Sequence, residues 1–567
     1  MPMEVNTGLP DFSLVVPVWN PKPDHLKACI DSVIAQTYES WELILVCDGP
    51  QPGPVMDVLA NPVDRVTVLE NPEQGGIVKA TNSGIEVARS EFVGFLDNDD
   101  LLAPFALESC AVEIQRWDDV DVIYTDEDLL SEDGKNRFEP FFKPAWSPDR
   151  LRTQNYMTHL SIYRRELIEQ VGRLRPGFDG AQDHDLALRT TEQARRIVHV
   201  PRICYHWRVS DSSVVQNAEA KPWAYEAGVR AVQSAFDRLG IDATARYDPE
   251  RPGVSAIQPN SMAGRFVSIV IPASGRSKLV GARQIDLLPN VVESIAARSD
   301  PDTYEVVVVL DHRATPEIVE KAHGLTAKNL KVIQDPEPFN FSRACNLGAA
   351  QADGDTLIFL NDDTEVITPN WLERLTMLAH AEGAGAVGAR LLFPNGTLQH
   401  CGVYARIDGV AHRYYGQLQP RDLASHSIVN VSAVTGACLA ITTERFYEVG
   451  AFTEVLPLCF NDVDLCFKLL YAGYNNILDG GTTLTHYESI SRDPTVQPFE
   501  VEFLRARWSM LLANDPYDNP NYTGAGVEDV KPPMAVTLAR EMLGRFHGEG
   551  RSWPFTDSIF NQPVPVG

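Results

Sequence analysis

A chain of 567 residues, 44% hydrophobic and 22% charged, is too long for one ordinary domain and has the composition of a globular protein with full cores. Its formal net charge of −28 excludes nucleic acid as the main partner, because phosphate backbones are met by a basic footprint. Nine cysteines, an odd number with no C-x-x-C pair, read as reduced thiols and exclude a disulfide framework or a zinc site.

The opening MPMEVNTGLPDF has neither a basic nor an apolar leader region, so no signal peptide is expected. No apolar run approaches the roughly 18 residues of a membrane span. The expected location is the cytoplasm, with at most a peripheral contact on the inner face of the cytoplasmic membrane. From Phe12, FSLVVPVWNP is a β-branched run that reaches Pro17. HLKACIDSVIAQ (His25–Gln36) then reads as a helix, and WELILVCDGP from Trp41 as a strand ending near Asp48. KATNSGIEVARSE begins at Lys79, and FVGFLDNDDLLAP from Phe92 is a strand that stops at Asp97, Asn98 and Asp99. Such continuous Val/Ile/Leu-rich runs belong to strands buried on both faces of a parallel sheet.

Between Arg150 and Arg208 there are eleven Arg, no Lys and six acidic residues. That pattern fits a solvated helical face, or a surface that meets a diphosphate or an anionic membrane. Within it, FDGAQDHDLALR places Asp183 where a helix begins, and CYHWRVSDSS carries His206 and Arg208.

After YDPERPGVSAIQPNSMAGR (Tyr247–Arg265), a Pro-, Gly- and Ser-rich linker, the same words return. FVSIVIPASG brings Pro272, YEVVVVLDHR brings Asp311, and RACNLGAAQADGD begins at Arg343. TLIFLNDDTEVITP repeats the acidic strand end with Asn361, Asp362 and Asp363, so Asn361 stands where the first copy has Asp97. LCFNDVDLCFKL supplies Asp462, and LTHYESISR supplies His486 and Arg492. The domains expected are therefore 1–252 and 265–518, joined by a linker at 253–264 and followed by an extension at 519–567. In that extension MAVTLAREMLGRFHG (534–548) reads as a short helix, docked on the second domain or lying on a membrane surface.

Strand–helix alternation gives an α/β, doubly wound unit whose ligands sit beyond the carboxyl ends of the strands. Pro17, Asp48, Asp99 and their counterparts fall at those ends. Asp97 and Asp99, two apart past a strand, can face one ligand, and two oxygen donors plus substrate phosphates is a usual way to hold Mg²⁺ or Mn²⁺. Asp183 and Asp462 open helices, where an N-cap role competes with that of a general base for a hydroxyl. His206 and His486 follow at 23 (206 − 183) and 24 (486 − 462) residues, each as a candidate metal or diphosphate contact. Arg208 and Arg492 can neutralise a phosphate.

In combination these motifs resemble a tandem of two family 2 glycosyltransferases with the GT-A (nucleotide-diphospho-sugar transferase, Rossmann-like) fold, over roughly residues 12–250 and 265–515. The second copy is similar to the rhamnosyl- and galactofuranosyltransferase branch of bacterial surface-polysaccharide and O-antigen assembly. The resemblance implies an inverting, metal-dependent enzyme using UDP-, dTDP- or GDP-sugars and a glycan or lipid-linked acceptor. It implies that Pro17, Asp48, Lys79, Pro272, Asp311 and Arg343 line the nucleotide pocket. Asp97 and Asn361 would bind the nucleotide-sugar, Asp99 and Asp363 the metal, with His206 and His486 beside them. Asp183 and Asp462 would be the two bases. The acidic pair usual after the second strand is Cys47-Asp48 here and Leu310-Asp311 in the second copy, which leaves the nucleotide open.

Two rivals stand beside this reading. A sugar-nucleotidyltransferase shares the topology, yet VPVWNPKPD and IPASGRSK lack its Gly-rich phosphate loop. Alternatively, one copy is a non-catalytic glycan-binding or scaffolding module.

Overall fold

The structure, a computed structural model, describes residues 11–50, 53–59, 64–209, 222–262, 264–280, 283–406, 409–413, 415–417, 423–487 and 496–521. Both halves fold around a large mixed sheet. In the first, the strand order is Val66–Glu70, Trp41–Cys47, Phe12–Val18, Phe92–Phe95, Ser161–Arg164, Val120–Leu130, Arg196–Arg208, Leu101–Leu102. In the second it is Leu330–Gln334, Tyr304–Leu310, Val267–Ala273, Thr356–Leu360, Cys438–Thr442, Ala384–Leu392, Asn475–His486, Thr364–Val366. The two orders are the same strand for strand, so the sequence repeat is a repeat of fold.

The register agrees in detail. Pro17 pairs with Val46 and Pro272 with Val309, both in parallel ladders. Neither proline interrupts its other neighbour, because the pairing there runs only as far as Val15–Phe95 and Val270–Phe359. The helices Gly76–Val87 and Phe341–Ala350 press onto these central strands through a glycine. A Cβ at Gly84 would lie 2.4 Å from Val15, and one at Gly348 2.3 Å from Val270. The shared N-x-G word thus records a helix–strand approach that only glycine permits.

Each sheet is covered on both faces, as its uninterrupted apolar strands require. In the first half, helices Pro23–Ile34 and Ala106–Arg116 cover one face, and Gly76–Val87 and Gln182–Thr191 the other. Helix Pro222–Leu239 belongs to both halves. Its Ala231 and Ala235 pack into the first core, while Val232 and Phe236 pack into the second.

The stretch expected to be a linker at 253–264 is not irregular throughout. It carries strand Ser255–Pro259, which forms an antiparallel hairpin with Ala243–Tyr247. Ala243, Ala245 and Ile257 of that hairpin are buried in the second core. The turn-forming residues read as a linker form the loop of this hairpin, and the strand beyond them is too short a run of alternating apolar residues to stand out. A buried polar seam joins the halves further: Asn430 accepts from Ser147 Oγ at 2.9 Å and donates to Asp149 Oδ2 at 2.7 Å. The segment after helix Pro498–Ala513 also crosses over. Asn519 Nδ2 reaches Asp126 Oδ1 at 3.0 Å and Oδ2 at 2.9 Å, in a strand of the first sheet. The helix expected at 534–548 lies outside the described residues.

Candidate active sites

In the second half, the carboxyl ends of the strands open into a cavity of about 920 Å³. Pro272, Asp311, Asn361, Asp362, Asp363, Asp462 and His486 all line it. Asp362 Oδ2 accepts the Ser274 N–H at 3.1 Å and so ties the acidic turn to the end of the first strand. His486 Nε2 lies 3.0 Å from Asp363 Oδ1, and His486 Nδ1 lies 2.6 Å from Gln399 Oε1. With the Nδ1 proton given to Gln399, Nε2 and the Asp363 carboxylate are close enough to share a proton or to hold a cation between them.

The two aspartates of each helix-opening D-x-D have opposite surroundings. Asp464 is fully buried, bonded to Thr453 Oγ1 at 2.6 Å and Trp508 Nε1 at 2.8 Å and paired with Arg507 at 3.2 Å. Asp185 is its counterpart, fully buried against Arg189 at 2.8 Å and Arg175. Asp462 instead faces the cavity from the first turn of its helix, where its Oδ2 accepts the Gly436 N–H at 2.8 Å. Asp183 occupies the same turn of helix Gln182–Thr191 and accepts from Asn155 Nδ2 at 2.8 Å. The i, i+2 spacing on a helix separates the pair: one is bonded into the core and the other sits at the helix start with fewer buried bonds.

In the first half, burial pushes the Asp97 carboxyl up, and the charges of Asp99 and Asp183 push the same way against His159. Those three carboxylates therefore share one electrostatic neighbourhood. Asn98 Nδ2 donates to Pro17 O at 3.1 Å, the counterpart of the Asp362–Ser274 tie. His159 is part of a network that sequence spacing did not reveal. Its Nδ1 lies 3.5 Å from Glu127 Oε2, which also accepts from Lys143 Nζ at 3.1 Å and Thr158 Oγ1 at 2.8 Å. Burial pulls the His159 pKa down, but Glu127, Asp97 and Asp100 overcome it and hold it at about 9. Glu127 is buried, which raises it, yet Lys143 and His159 bring it down to about 2.

Sheet pairing shows what stands there in the other copy. Arg164 pairs with Phe92 and Thr442 with Thr356, which places His159 at the position of Ala437. By the same count Glu127, paired with Tyr205, takes the place of Leu391, paired with Leu484. The first site is therefore charged where the second is apolar. Near the acidic turn, burial and then Arg208 lower the His25 pKa while Asp99 raises it.

A family model, described as glycosyl transferase family 2, matches residues 13–172 and again residues 268–431. The chain belongs to glycosyl transferase family 2. An uncharacterized protein of Sinorhizobium fredii, y4gI, is 38% identical over 534 residues, covering 90% of this chain and 57% of the relative. The O-antigen biosynthesis protein RfbC of Myxococcus xanthus is 34% identical over 550 residues, covering 94% of this chain and 42% of the relative. The chain thus spans about half the length of these curated relatives. Among solved structures, Staphylococcus aureus TarS residues 1–349 in complex with UDP-GlcNAc is 21% identical over 40% of this chain and 66% of that one, with a TM-score of 0.33.

Several expected site residues of this family 2 chain have polar groups bonded to other residues of the chain. Asp48 accepts the N–H groups of Gly75 at 2.8 Å and Gly76 at 2.9 Å, whereas Asp311 is capped by Arg313. Lys79 pairs with Glu73 at 2.9 Å and Arg343 with Asp335 at 2.8 Å. Arg208, expected at a phosphate, donates to Asp99 O at 2.7 Å and Glu132 O at 2.9 Å, and so clamps the acidic turn from behind. Its supposed partner Arg492 lies outside the described residues.

His206 does not stand at the place of His486. Leu101 pairs with His206, but Glu365, the residue aligned with Leu101, pairs with Thr485. Trp207 is therefore the register counterpart of His486. His206 Nδ1 is bonded to Asp128 Oδ1 at 2.6 Å, one pleat away from the face that His486 uses.

Proposed function

We propose that the chain is a bifunctional, inverting glycosyltransferase with one active site per domain. It would move sugars from UDP-, dTDP- or GDP-sugars to a growing glycan or lipid-linked acceptor in bacterial surface-polysaccharide assembly. The observation that carries this reading is the placement of Asp462 in the same cavity as Asp363 and His486, while its neighbour Asp464 is spent on buried bonds. Family membership of both halves and the O-antigen relative support the substrate class.

Asp462 and Asp183 would each take the proton of an acceptor hydroxyl as it attacks the anomeric carbon. A single carboxylate serves one inverting displacement, whereas a retaining hydrolase needs two about 5–5.5 Å apart. The Gly436 N–H and Asn155 Nδ2 orient these carboxylates for that transfer. Pro272, Asp311 and Asn361 line the cavity where a nucleotide-sugar would lie.

A divalent cation, Mg²⁺ or Mn²⁺, fits the second site. Among the described residues no cluster of three or more His, Cys, Asp or Glu could hold a metal unaided. Asp363 and the Nε2 lone pair of His486 give two donors, which suffices for a cation that takes its other ligands from a diphosphate and water. When bound, such an ion would neutralise the charge growing on the nucleotide diphosphate as it leaves. In the first site Asp99 is the matching donor, with Asp97 beside it.

Among the described residues no helix is long and apolar enough to cross a membrane. The reading is tested by nucleotide release from a panel of UDP-, dTDP- and GDP-sugars, with membrane extract as acceptor, with and without EDTA. Release from at least one donor, abolished by EDTA and restored by Mn²⁺ or Mg²⁺, is expected. Release that ignores EDTA would remove the metal from the account.

A further inference from the structure

The first domain carries an imidazole where the second has a methyl group. His159 stands at the position of Ala437, and Trp207 beside it stands at that of His486. Ala437 and His486 both line the second cavity, so the His159 ring belongs to the wall of the corresponding first site.

The ring is held from several sides. The His159 N–H donates to Glu127 Oε2 at 3.0 Å, and Lys143 Nζ donates to Met157 O at 2.8 Å and to His159 O. The imidazole stacks on Tyr205 with centroids 4.6 Å apart and meets Trp207 edge-on at 5.4 Å. Tyr205 in turn braces the acidic turn: its hydroxyl donates to Asp100 Oδ2 at 2.6 Å and accepts the Asp97 N–H at 3.2 Å.

The two ring nitrogens have different surroundings. Nδ1 is buried, 3.5 Å from Glu127 Oε2. Nε2 has no hydrogen-bond partner among the described residues, and the side chain keeps 20% of its surface exposed. Burial lowers the His159 pKa, but Glu127, Asp97 and Asp100 hold it at about 9, so both nitrogens carry a proton near neutral pH. A cationic N–H fixed by packing, with no acceptor inside the protein, suits an anionic oxygen of a ligand.

The two copies differ here by a matched pair. The first has Asp97 and His159 where the second has Asn361 and Ala437. One acid and one base have come together, so the charge balance at this strand end is the same in both. Asp97 alone would repel the diphosphate of a nucleotide-sugar, whereas His159 offsets its charge and adds a donor.

We propose that His159 contacts the donor in the first domain, giving its Nε2–H to the diphosphate of the nucleotide-sugar. The second domain has only the Ala437 methyl group at that place. This proposal rests on the transferase reading of the first domain.

The test uses the full chain with Asp462→Asn, in which transfer by the first domain is read. Nucleotide release from UDP-, dTDP- and GDP-sugars is measured with membrane extract as acceptor, together with inhibition by the matching nucleoside diphosphate and free nucleoside. His159→Ala should raise the donor KM and the inhibition constant of the diphosphate roughly 10- to 100-fold, and leave that of the nucleoside unchanged. His159→Gln, which keeps an N–H but not the charge, should fall between, and it carries the test if His159→Ala does not fold. Adding Asp97→Asn to His159→Ala should recover only part of the loss. Donor KM and diphosphate inhibition unchanged in both His159 variants would overturn the contact while the transferase reading stands. An equal rise for the free nucleoside would overturn it too, because a nucleoside has no phosphate to meet. Full recovery on adding Asp97→Asn would leave His159 as a counter-charge and likewise overturn the contact. No release from any donor by the Asp462→Asn chain would overturn the transferase reading of the first domain and the contact with it.

Discussion

His486 Nε2 stands 3.0 Å from Asp363 Oδ1, while His206, its apparent counterpart in sequence, turns its Nδ1 to Asp128 Oδ1 at 2.6 Å. The two histidines should therefore fail differently. His486→Ala is expected to lower transfer by the second site at least about 100-fold and to leave thermal unfolding nearly unchanged. His206→Ala removes a partner of a buried carboxylate and should cost about 1–3 kcal/mol of stability. Nucleotide release and a melting curve on each variant separate the cases. Equal loss of activity in both would restore His206 to the metal site.

The D-x-D pairs at the helix starts make a second contrast. Asp464→Asn leaves Arg507 and Lys468 buried beside a neutral amide and should destabilise the second domain by about 3–5 kcal/mol. Asp462→Asn keeps the shape of a side chain that faces the cavity and should change stability far less. Chemical denaturation of the two variants checks this. Similar midpoints would mean that the buried network is not holding the helix.

Lys468 gives a pH signature. Burial pushes its ammonium down to about 8 despite the nearby Asp464 carboxylate, against an ordinary value of 10.5. Between those two values the unfolded chain binds the proton more readily than the folded one, so stability rises with pH across that window. Below pH 8 both states hold the proton and the contribution no longer changes. Denaturation midpoints of the wild type should climb from pH 8 to 10, and those of Lys468→Met should climb less. A wild-type midpoint that fell over that range as steeply as the variant's would contradict the assignment.

The crossing segment ties the domains together. Asp515 Oδ2 accepts the Ala405 N–H, Asp518 pairs with Arg413 at 2.9 Å, and Asn519 binds Asp126 across the seam. Ala405 and Arg413 flank the wall of the second site, and Asp126 adjoins Glu127 of the first. Asn519→Ala should lower stability by about 1–3 kcal/mol and speed amide exchange in strand Val120–Leu130 of the first domain. Exchange unchanged in that strand would show that the seam does not hold it.

Much of this was legible in the residues. Pro17 and Pro272, Asp48 and Asp311, and Asp99 and Asp363 fall at matching places because the repeat preserves strand lengths and the ends of strands carry the site. The Gly84 and Gly348 words marked helices that touch those strands. What spacing could not give was the side of a sheet. His206 and His486 follow their aspartates by 23 and 24 residues, and a single residue turns a side chain through to the opposite face. Nor could it give contacts far apart in sequence. Glu127, Lys143 and His159 meet only because two loop segments fold back on strand Val120–Leu130, and Asn519 reaches Asp126 across most of the chain. Arg208 looked like a phosphate ligand because it closely follows His206, and its Nε and Nη1 donate to backbone carbonyls of the turn it supports.

The central claim is that each domain carries one base for its own linkage. Linkage analysis of the glycan made by wild type, Asp183→Asn, Asp462→Asn and the double variant tests it most directly. A general base contributes about 10²–10⁴-fold in rate, so each single variant should lose one linkage, and the double variant both. Loss of all product in one single variant, with the other indistinguishable from wild type, would contradict the account and leave one domain as a glycan-binding module.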